Sequence, residues 1–415
     1  MKKQIMMIGL SLSICIGVKA QSPGQKKILW DCSHSETAGN GDWCIDADVW
    51  NLAWNPNACV GCGSKSDPQR YPTPAQTTVV STTTETYWTG ALSAWAIDCV
   101  KRGYWVETLP PATGQITYGN TSNPQDLSNY DVFIVDEPNI IFNSAEKTAL
   151  VNFIANGGSL FAISDHTGSD RNNDGWDSPA IWNDFLTNNG TANNAFGYKF
   201  MLENFSGIST NIATAATDSI IHGPFGNVAE VQWSNGTSMD INPSQNPSVK
   251  AHVWKAGLGQ TDTAVLCVTA RYGCGKIASI GDSSPPDDGT GNPGVTLYTG
   301  YTGDAAGNHR PWLMNLTIWL VEGGNCVTTS ANAMAEKSSL IVVYPNPFTD
   351  YITVLTGSST EKTEVNIYDQ LGKKVLDTYV FNNGETKINL SGLSKGVYFV
   401  TIKCGNTFCT RKLVK

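Results

Sequence analysis

Ser159-Leu-Phe-Ala-Ile-Ser-Asp-His-Thr-Gly-Ser-Asp-Arg-Asn-Asn-Asp-Gly-Trp-Asp177 is the stretch on which the reading of the fold turns. Leu160 to Ile163 is a short apolar run after a helical pattern and a Gly157-Gly158 break, so it predicts a buried parallel strand. Ligands of open α/β sheets sit beyond the carboxyl ends of the strands, which places Ser164, Asp165 and His166 in the expected crevice. The loop that follows offers oxygens at alternate positions, Asp170, Asn172 and Asp174, then Gly175 and Asp177. This is the pattern of a calcium loop, in which acidic and amide side chains surround a hard cation and a glycine permits the sharp turn. It stops short of an EF-hand, because the twelfth position is Ile181 rather than a bidentate glutamate.

Working outward toward the N-terminus, Asn143 to Asn156 has helical spacing, with Ser144 as the expected cap and Gly157 as the stop. Asp131 to Asp136 precedes it as a strand, Tyr104 to Leu109 as another, and Lys26 to Trp30 as the first. A helix is expected over Thr89 to Arg102. Alternation of strand and helix predicts an α/β fold, a doubly wound and mostly parallel sheet with helices on both faces. Asp31, His34 and Glu36 fall at the end of the first strand and Asp136 at the end of the third, so they are expected beside Ser164 to His166. Residues 55 to 86, rich in Pro, Gly, Ser and Thr, read as a long insertion.

Toward the C-terminus, a short aromatic helix, Ala180 to Leu186, gives way to an Asn/Thr/Gly-rich stretch, about 187–260, expected to be a β-rich insertion. Strands resume at Ala264 to Ala270 and Lys276 to Gly281, the latter leading into the acidic segment Asp282-Ser-Ser-Pro-Pro-Asp-Asp288, and Arg310 to Val321 closes the domain as a helix. Residues 323–339 read as a linker. Seven short alternating strands between Leu340 and Val414 predict a small all-β sandwich.

Residues 1–20 have the layout of a secretory signal: Lys2 and Lys3, an apolar core, and Val18-Lys19-Ala20. No later apolar run approaches the roughly 18 residues of a spanning helix, so no transmembrane segment is expected. With 36 acidic against 27 basic residues and no dense Lys/Arg stripe, nucleic-acid binding is not expected, since that affinity rests on basic side chains releasing counterions. Ten cysteines remain after the signal, an even number for an oxidising compartment, and disulfides are expected, among them Cys404 with Cys409.

The tail resembles the C-terminal sorting domain of proteins exported by the type IX system of Bacteroidetes. The matching segments are Tyr344-Pro-Asn-Pro-Phe348, Val365-Asn-Ile-Tyr-Asp369, Gly372-Lys-Lys-Val375, Leu393-Ser-Lys-Gly-Val-Tyr398 and Lys412-Leu-Val-Lys415. The resemblance implies the type IX machinery as a partner and a secreted or cell-surface protein that passes through the periplasm. The middle, 26–322, resembles the class I glutamine-amidotransferase-like superfamily through His34-Ser-Glu-Thr-Ala-Gly-Asn40, Ser164-Asp-His-Thr167 and Gly281-Asp-Ser-Ser284. A working amidotransferase carries a Gly-x-Cys-x-Gly elbow where this chain has Ala162-Ile-Ser-Asp-His166, and a His-x-Glu pair where it has Gly281-Asp-Ser. Glutaminase chemistry is therefore not expected.

A serine nucleophile needs a base and an orienting acid, and no Gly-x-Ser-x-Gly elbow surrounds Ser164. Asp31, His34, Glu36, Asp136, Asp165 and His166 instead provide histidines and carboxylates for an acid/base pair or a metal-activated water. The expected protein is a secreted, calcium-stabilised hydrolase of an extracellular polymer or ester, with calcium at Asp170, Asn172, Asp174 and Asp177 and room for a second metal. The alternative is a non-catalytic module that binds a glycan or small-molecule ligand, with a stacking platform drawn from Trp43, Trp176 and Trp182, at least two of which are expected to pack in the core instead. His222, His252 and His309 are expected to pack, cap or sit in strands.

Overall fold

A computed structural model describes residues 24–38, 42–46, 72–111, 113–191, 194–290, 300–304, 308–322, 341–356, 363–380, 384–404 and 407–415. The expected signal, the first part of the 55–86 insertion and the linker lie outside these residues. The chain divides into two compact units, Met1–Asn325 and Cys326–Lys415.

The first unit is mixed α/β with a largely parallel central sheet. In chain order it contains β1 (Lys27–Asp31), α1 (Ser93–Lys101), β2 (Trp105–Leu109), β3 (Val132–Asp136), α2 (Ser144–Ala155), β4 (Ser159–Ile163) and α3 (Ser178–Thr187). Then come β5 (Tyr198–Phe200), β6 (Phe205–Ser209), β7 (His222–Gly223), β8 (Gly226–Asn227), β9 (Val231–Gly236), β10 (Met239–Ile241) and β11 (Lys250–Trp254). It closes with β12 (Val265–Tyr272), β13 (Gly275–Ile280), α4 (Gly300–Gly303) and α5 (His309–Val321). The nine-stranded sheet runs β2-β1-β3-β4-β13-β12-β10-β5, with β11 also paired to β12.

From β2 to β13 every pairing is parallel; from β13 onward every pairing is antiparallel. The sequence expectation of a mostly parallel sheet thus holds for five strands and gives way at the β12–β13 hairpin, whose turn is too short for a crossover helix. The 187–260 stretch is not a lobe of its own, because β5, β10 and β11 join the central sheet.

β3 and β4 are buried at all five positions, as strands covered on both faces must be, and this is why they read as unbroken apolar runs. Phe133, Ile134 and Phe161 have no exposed surface, and each such side chain contributes about 1.5–3 kcal/mol of burial. Trp95 of α1 stands edge-on to Trp30 of β1 and to Phe161 of β4, at centroid distances of 5.8 and 5.5 Å. At the opposite end of the sheet, Gly275 opens β13 because a side chain there would run into the carbonyls of Gly158 and Ile154.

The cap of α2 is Asn143 rather than Ser144. Its side chain accepts from the backbone of Ala145 and Glu146, and Glu146 reaches back to the Asn143 N–H at 2.8 Å, a capping box. Asp177 caps α3, accepting from Ala180 at 3.1 Å. Lys147 of α2 and Asp184 of α3 form an ion pair of 2.7 Å.

Among the described residues the second unit has seven strands, the number expected: β14 (Ile341–Tyr344), β15 (Tyr351–Thr356), β16 (Thr363–Asp369), β17 (Lys374–Val380), β18 (Gly384–Asn389), β19 (Val397–Cys404) and β20 (Thr407–Val414). They form antiparallel sheets β14-β15-β18 and β17-β16-β19-β20. Ile352, Val354, Val365, Ile367, Val400, Ile402 and Leu413 make its core.

The expectation of disulfides needs correction for four cysteines. Cys32, Cys44, Cys99 and Cys267 are buried thiols. Cys404 and Cys409 are offset along the β19–β20 ladder, Cys404 lying opposite Thr407 and Cys409 opposite Ile402. Among the described residues no helix is long and apolar enough to cross a membrane.

Candidate functional site

Four neighbouring parallel strands, β1, β3, β4 and β13, bring their carboxyl ends side by side. They deliver Asp31, Asp136-Glu137, Ser164-Asp165-His166 and Asp282-Ser283 to one edge of the sheet. A cleft of about 210 Å³ lies there, lined by Ala38, Trp43, Asp165, His166, Arg171, Ser234, Asn235, Ser283 and Ser284.

Asp165 is the carboxyl that reaches this cleft, 3% exposed. Its neighbour Glu137 is fully buried and follows β3 with φ 47°, a conformation that a side chain adopts only at a cost. That turn gathers donors on the Glu137 carboxylate: Trp43 Nε1 at 2.7 Å, Ser283 Oγ at 2.8 Å and Arg171 Nε at 3.0 Å. The Arg171 Nη2 bridges Glu137 Oε1 at 3.0 Å and Asp165 Oδ2 at 2.9 Å. Asn139 ties the loops together, donating to the carbonyls of Ser35, Thr37 and Glu137 and accepting from the Arg171 N–H.

Burial pushes the Asp165 carboxyl well above the usual carboxylate range, Glu137 and Asp282 push it further, and Arg171 only partly opposes them. His166 Nε2 lies 3.6 Å from Asp165 Oδ2. Its Nδ1 is 2.7 Å from the Thr167 carbonyl and 2.9 Å from Asn204 Nδ2. The arrangement places a carboxyl and an imidazole side by side at a cleft wall.

The other expected residues are placed apart from this pair. His34 sits between Asp31 (Nδ1 to Oδ2, 2.9 Å) and Glu146 (Nε2 to Oε2, 3.3 Å), against the Phe142 ring. Burial draws its imidazole down, but Asp31, Glu146 and Glu36 outweigh burial and hold it well above the usual histidine range. Glu36 is buried with both oxygens on the His34 N–H, at 3.2 and 3.0 Å. Asp136 is buried with no hydrogen-bond partner on either oxygen among the described residues; burial, then Glu137, Asp282 and Asp287, raise its carboxyl well above the usual range. The Ser164 hydroxyl is buried and donates to the Asp165 carbonyl at 3.1 Å, with no imidazole partner, so it has no base to activate it.

In the acidic loop, Asp170 accepts from the N–H groups of Asp174 and Gly175, Asn172 from Asp174, and Asp174 from Trp176. Asp177 is turned to the α3 cap and to Thr167 and Gly168. Two of the three tryptophans pack in the core, as expected: Trp43 and Trp182 are buried, their indole N–H groups held by Glu137 and by the Ile163 carbonyl, while Trp176 is exposed. His252 is a β11 residue bonded to Asp218 and Thr269, and His309 is buried between Gly300 and Gln232; both pack as expected. His222 is exposed on β7.

Glu137, Arg171 and Ser283 are site residues that the sequence reading passed over. Arg171 carried a signal, since it is the one basic residue in the stretch Ser159–Asp177.

Asp282 accepts from the Ser234 and Ser284 N–H groups, yet burial lifts its carboxyl to about 7. A carboxyl raised on folding favours the folded state below its unfolded value near 4 and loses that contribution as pH climbs through the folded value. The melting temperature is therefore expected to fall between about pH 4 and pH 7, and to fall less steeply in Asp282→Asn. Equal slopes in scans of the two proteins would contradict this assignment.

Residues 342–415 match the family described as the secretion system C-terminal sorting domain. The chain thus carries a type IX sorting tail and is a secreted or cell-surface protein. No curated protein matches the chain. Among solved structures, the mmIFT52 N-terminal domain is 12% identical over 56% of this chain and 90% of its own, with a TM-score of 0.38. The cytoplasmic protein STM3548 from Salmonella typhimurium is 10% identical over 55% and 87%, with a TM-score of 0.34. An immunoglobulin-like DUF3244 family protein from Bacteroides vulgatus is 15% identical over 19% and 87%, with a TM-score of 0.17. Likenesses at these scores assign neither fold nor function.

Proposed function

We propose that the first unit is an extracellular hydrolase whose cleft works by acid–base chemistry between Asp165 and His166. The observation that carries this reading is a single contact. A carboxyl that burial and neighbouring acids raise well above the usual carboxylate range lines the cleft, 3.6 Å from an imidazole nitrogen. Groups whose surroundings set one as proton donor and the other as acceptor are the acid and base of a hydrolytic step. His166 Nε2 takes the proton of the attacking water as its oxygen bonds to the scissile centre, and Asp165 gives its proton to the departing group. Arg171 and Glu137 hold Asp165 in place, and Ser283 and Asn235 supply hydrogen bonds for a polar polymer or ester. Hydrolysis of a panel of glycans and esters by the purified chain tests the reading.

A second reading is binding without turnover, favoured by a cleft lined largely by hydroxyl and amide groups, Ser234, Asn235, Ser283 and Ser284. It predicts retention of a glycan or other polyhydroxylated ligand and no product.

We read the sheet as doubly wound, with α1 and α5 on one face and α2 and α3 on the other. Supporting this are the Trp95 Nε1 to Thr317 Oγ1 bond between α1 and α5 and the Lys147–Asp184 pair between α2 and α3. The class I glutamine-amidotransferase-like reading rests on the sequence segments that carry the resemblance.

Calcium is proposed in the loop that carries Asp170, Asn172, Asp174 and Asp177, with the first three as its main ligands. Their alternate spacing and the turn at Gly175, φ 92°, support it. Because Arg171 lies in the same loop, the ion would also steady the guanidinium that spans Glu137 and Asp165. A chelator is expected to lower the melting temperature, calcium to restore it, and Asp174→Ala to abolish the response. Superimposable melting curves with and without chelator would refute the site.

A further inference from the structure

The geometry points to a metal centre in the loop after β1, formed by Asp31, His34 and Glu36 and suited to a divalent ion of the zinc type. One ligand atom from each residue lies within 4.8 Å of the others, and all three residues are buried. None of them lines the cleft, so the centre is separate from the proposed acid–base pair.

The donor set decides the class of ion. One imidazole nitrogen with two carboxylate oxygens suits zinc, whereas calcium and magnesium take oxygen shells. Two ligands of one tetrahedral zinc, each about 2.0–2.1 Å from it, stand a little over 3 Å apart. His34 Nδ1 and Asp31 Oδ2 are 2.9 Å apart, close to that spacing. The proton now between them leaves as the ion enters.

The surroundings have the features of an outer shell. Nε2, the far nitrogen of His34, faces Glu146 Oε2 at 3.3 Å, the carboxylate–histidine arrangement that orients a ligating ring. Asp31 Oδ1 is held by the Ser33 N–H at 2.8 Å and hydroxyl at 2.7 Å, leaving Oδ2 for the ion. Glu36 is pinned by the His34 N–H on both oxygens. Three carboxylates, Asp31, Glu36 and Glu146, surround a single imidazole. Because all three residues are buried, the ion would enter as the chain folds, with a water completing its tetrahedron, and act structurally.

Cobalt is the probe of choice, since a tetrahedral site gives it a visible spectrum that calcium sites do not. The full mature chain, refolded in chelator and then titrated with cobalt, is expected to bind one equivalent with that spectrum and to lose it to zinc. His34→Gln and Glu36→Gln are expected to abolish it. Glu146→Gln keeps the capping box, which accepts glutamine, and is expected to weaken affinity by about 10–100-fold with the fold intact. No stoichiometric spectrum from the folded wild-type chain, or a spectrum unchanged in Glu36→Gln and Glu146→Gln, would overturn the centre.

Discussion

Asp165→Asn is expected to remove about a hundredfold or more of the hydrolysis shown by the wild-type chain while leaving its melting temperature nearly unchanged. The asparagine has the shape of the neutral acid, and its carboxamide oxygen can still accept from Arg171 Nη2, which now lies 2.9 Å from Asp165 Oδ2. What it lacks is the proton to deliver. Loss of a general acid or base typically costs 10²–10⁴-fold. His166→Gln is expected to fall by a similar factor, because its side chain lies at the cleft wall and contributes little to the core. His34→Gln separates this account from one centred on the first strand: it removes a buried ion-pair partner of Asp31, so its cost should appear in stability. A wild-type rate in Asp165→Asn would dismiss the acid–base pair.

Deletion of residues 340–415 is expected to stop export altogether and leave a folded first unit in the periplasm. The two units have separate cores, so the first keeps its sheet and helices when the second is removed. The sorting tail carries the address, and without it the chain has no route across the outer membrane. Immunoblots of cell fractions and medium, with a melting curve of the truncated protein, check both halves of the prediction. Truncated chain in the medium would contradict the first half, and an unfolded fragment the second.

The parallel half of the sheet was legible because each of its central strands is buried on both faces, and burial on both faces leaves an apolar run that a reader can see. Val132–Asp136 and Ser159–Ile163 are such runs, and their predicted bounds agree with the structure to within a residue. The antiparallel half was harder to read. β5 and β10 are three-residue strands in a polar stretch, too short for periodicity to distinguish them from loop.

After β3 the sequence reading named Asp136, and the structure turns its neighbour Glu137 toward the cleft-lining side chains. Asp136 and Glu137 are adjacent acids, and only the backbone turn at Glu137 decides which carboxylate meets Trp43, Arg171 and Ser283. His34, Asp136 and His166 all follow parallel strands, yet their side chains have different partners, because neighbouring strand ends share an edge of the sheet without sharing a side-chain direction. The tryptophans divide for a related reason. A ring that stacks on a sugar and a ring that packs in a core are the same residue in a sequence, and Trp43 and Trp182 are the second kind.

The most direct measurement of the central claim is the titration of the Asp165 carboxyl itself, followed by carbon NMR with Asp165→Asn to assign its resonance. The account predicts a carboxyl that stays protonated well above the usual carboxylate range, held there by burial beside Glu137 and Asp282. A carboxyl that ionises near 4, as a free aspartate does, would contradict it.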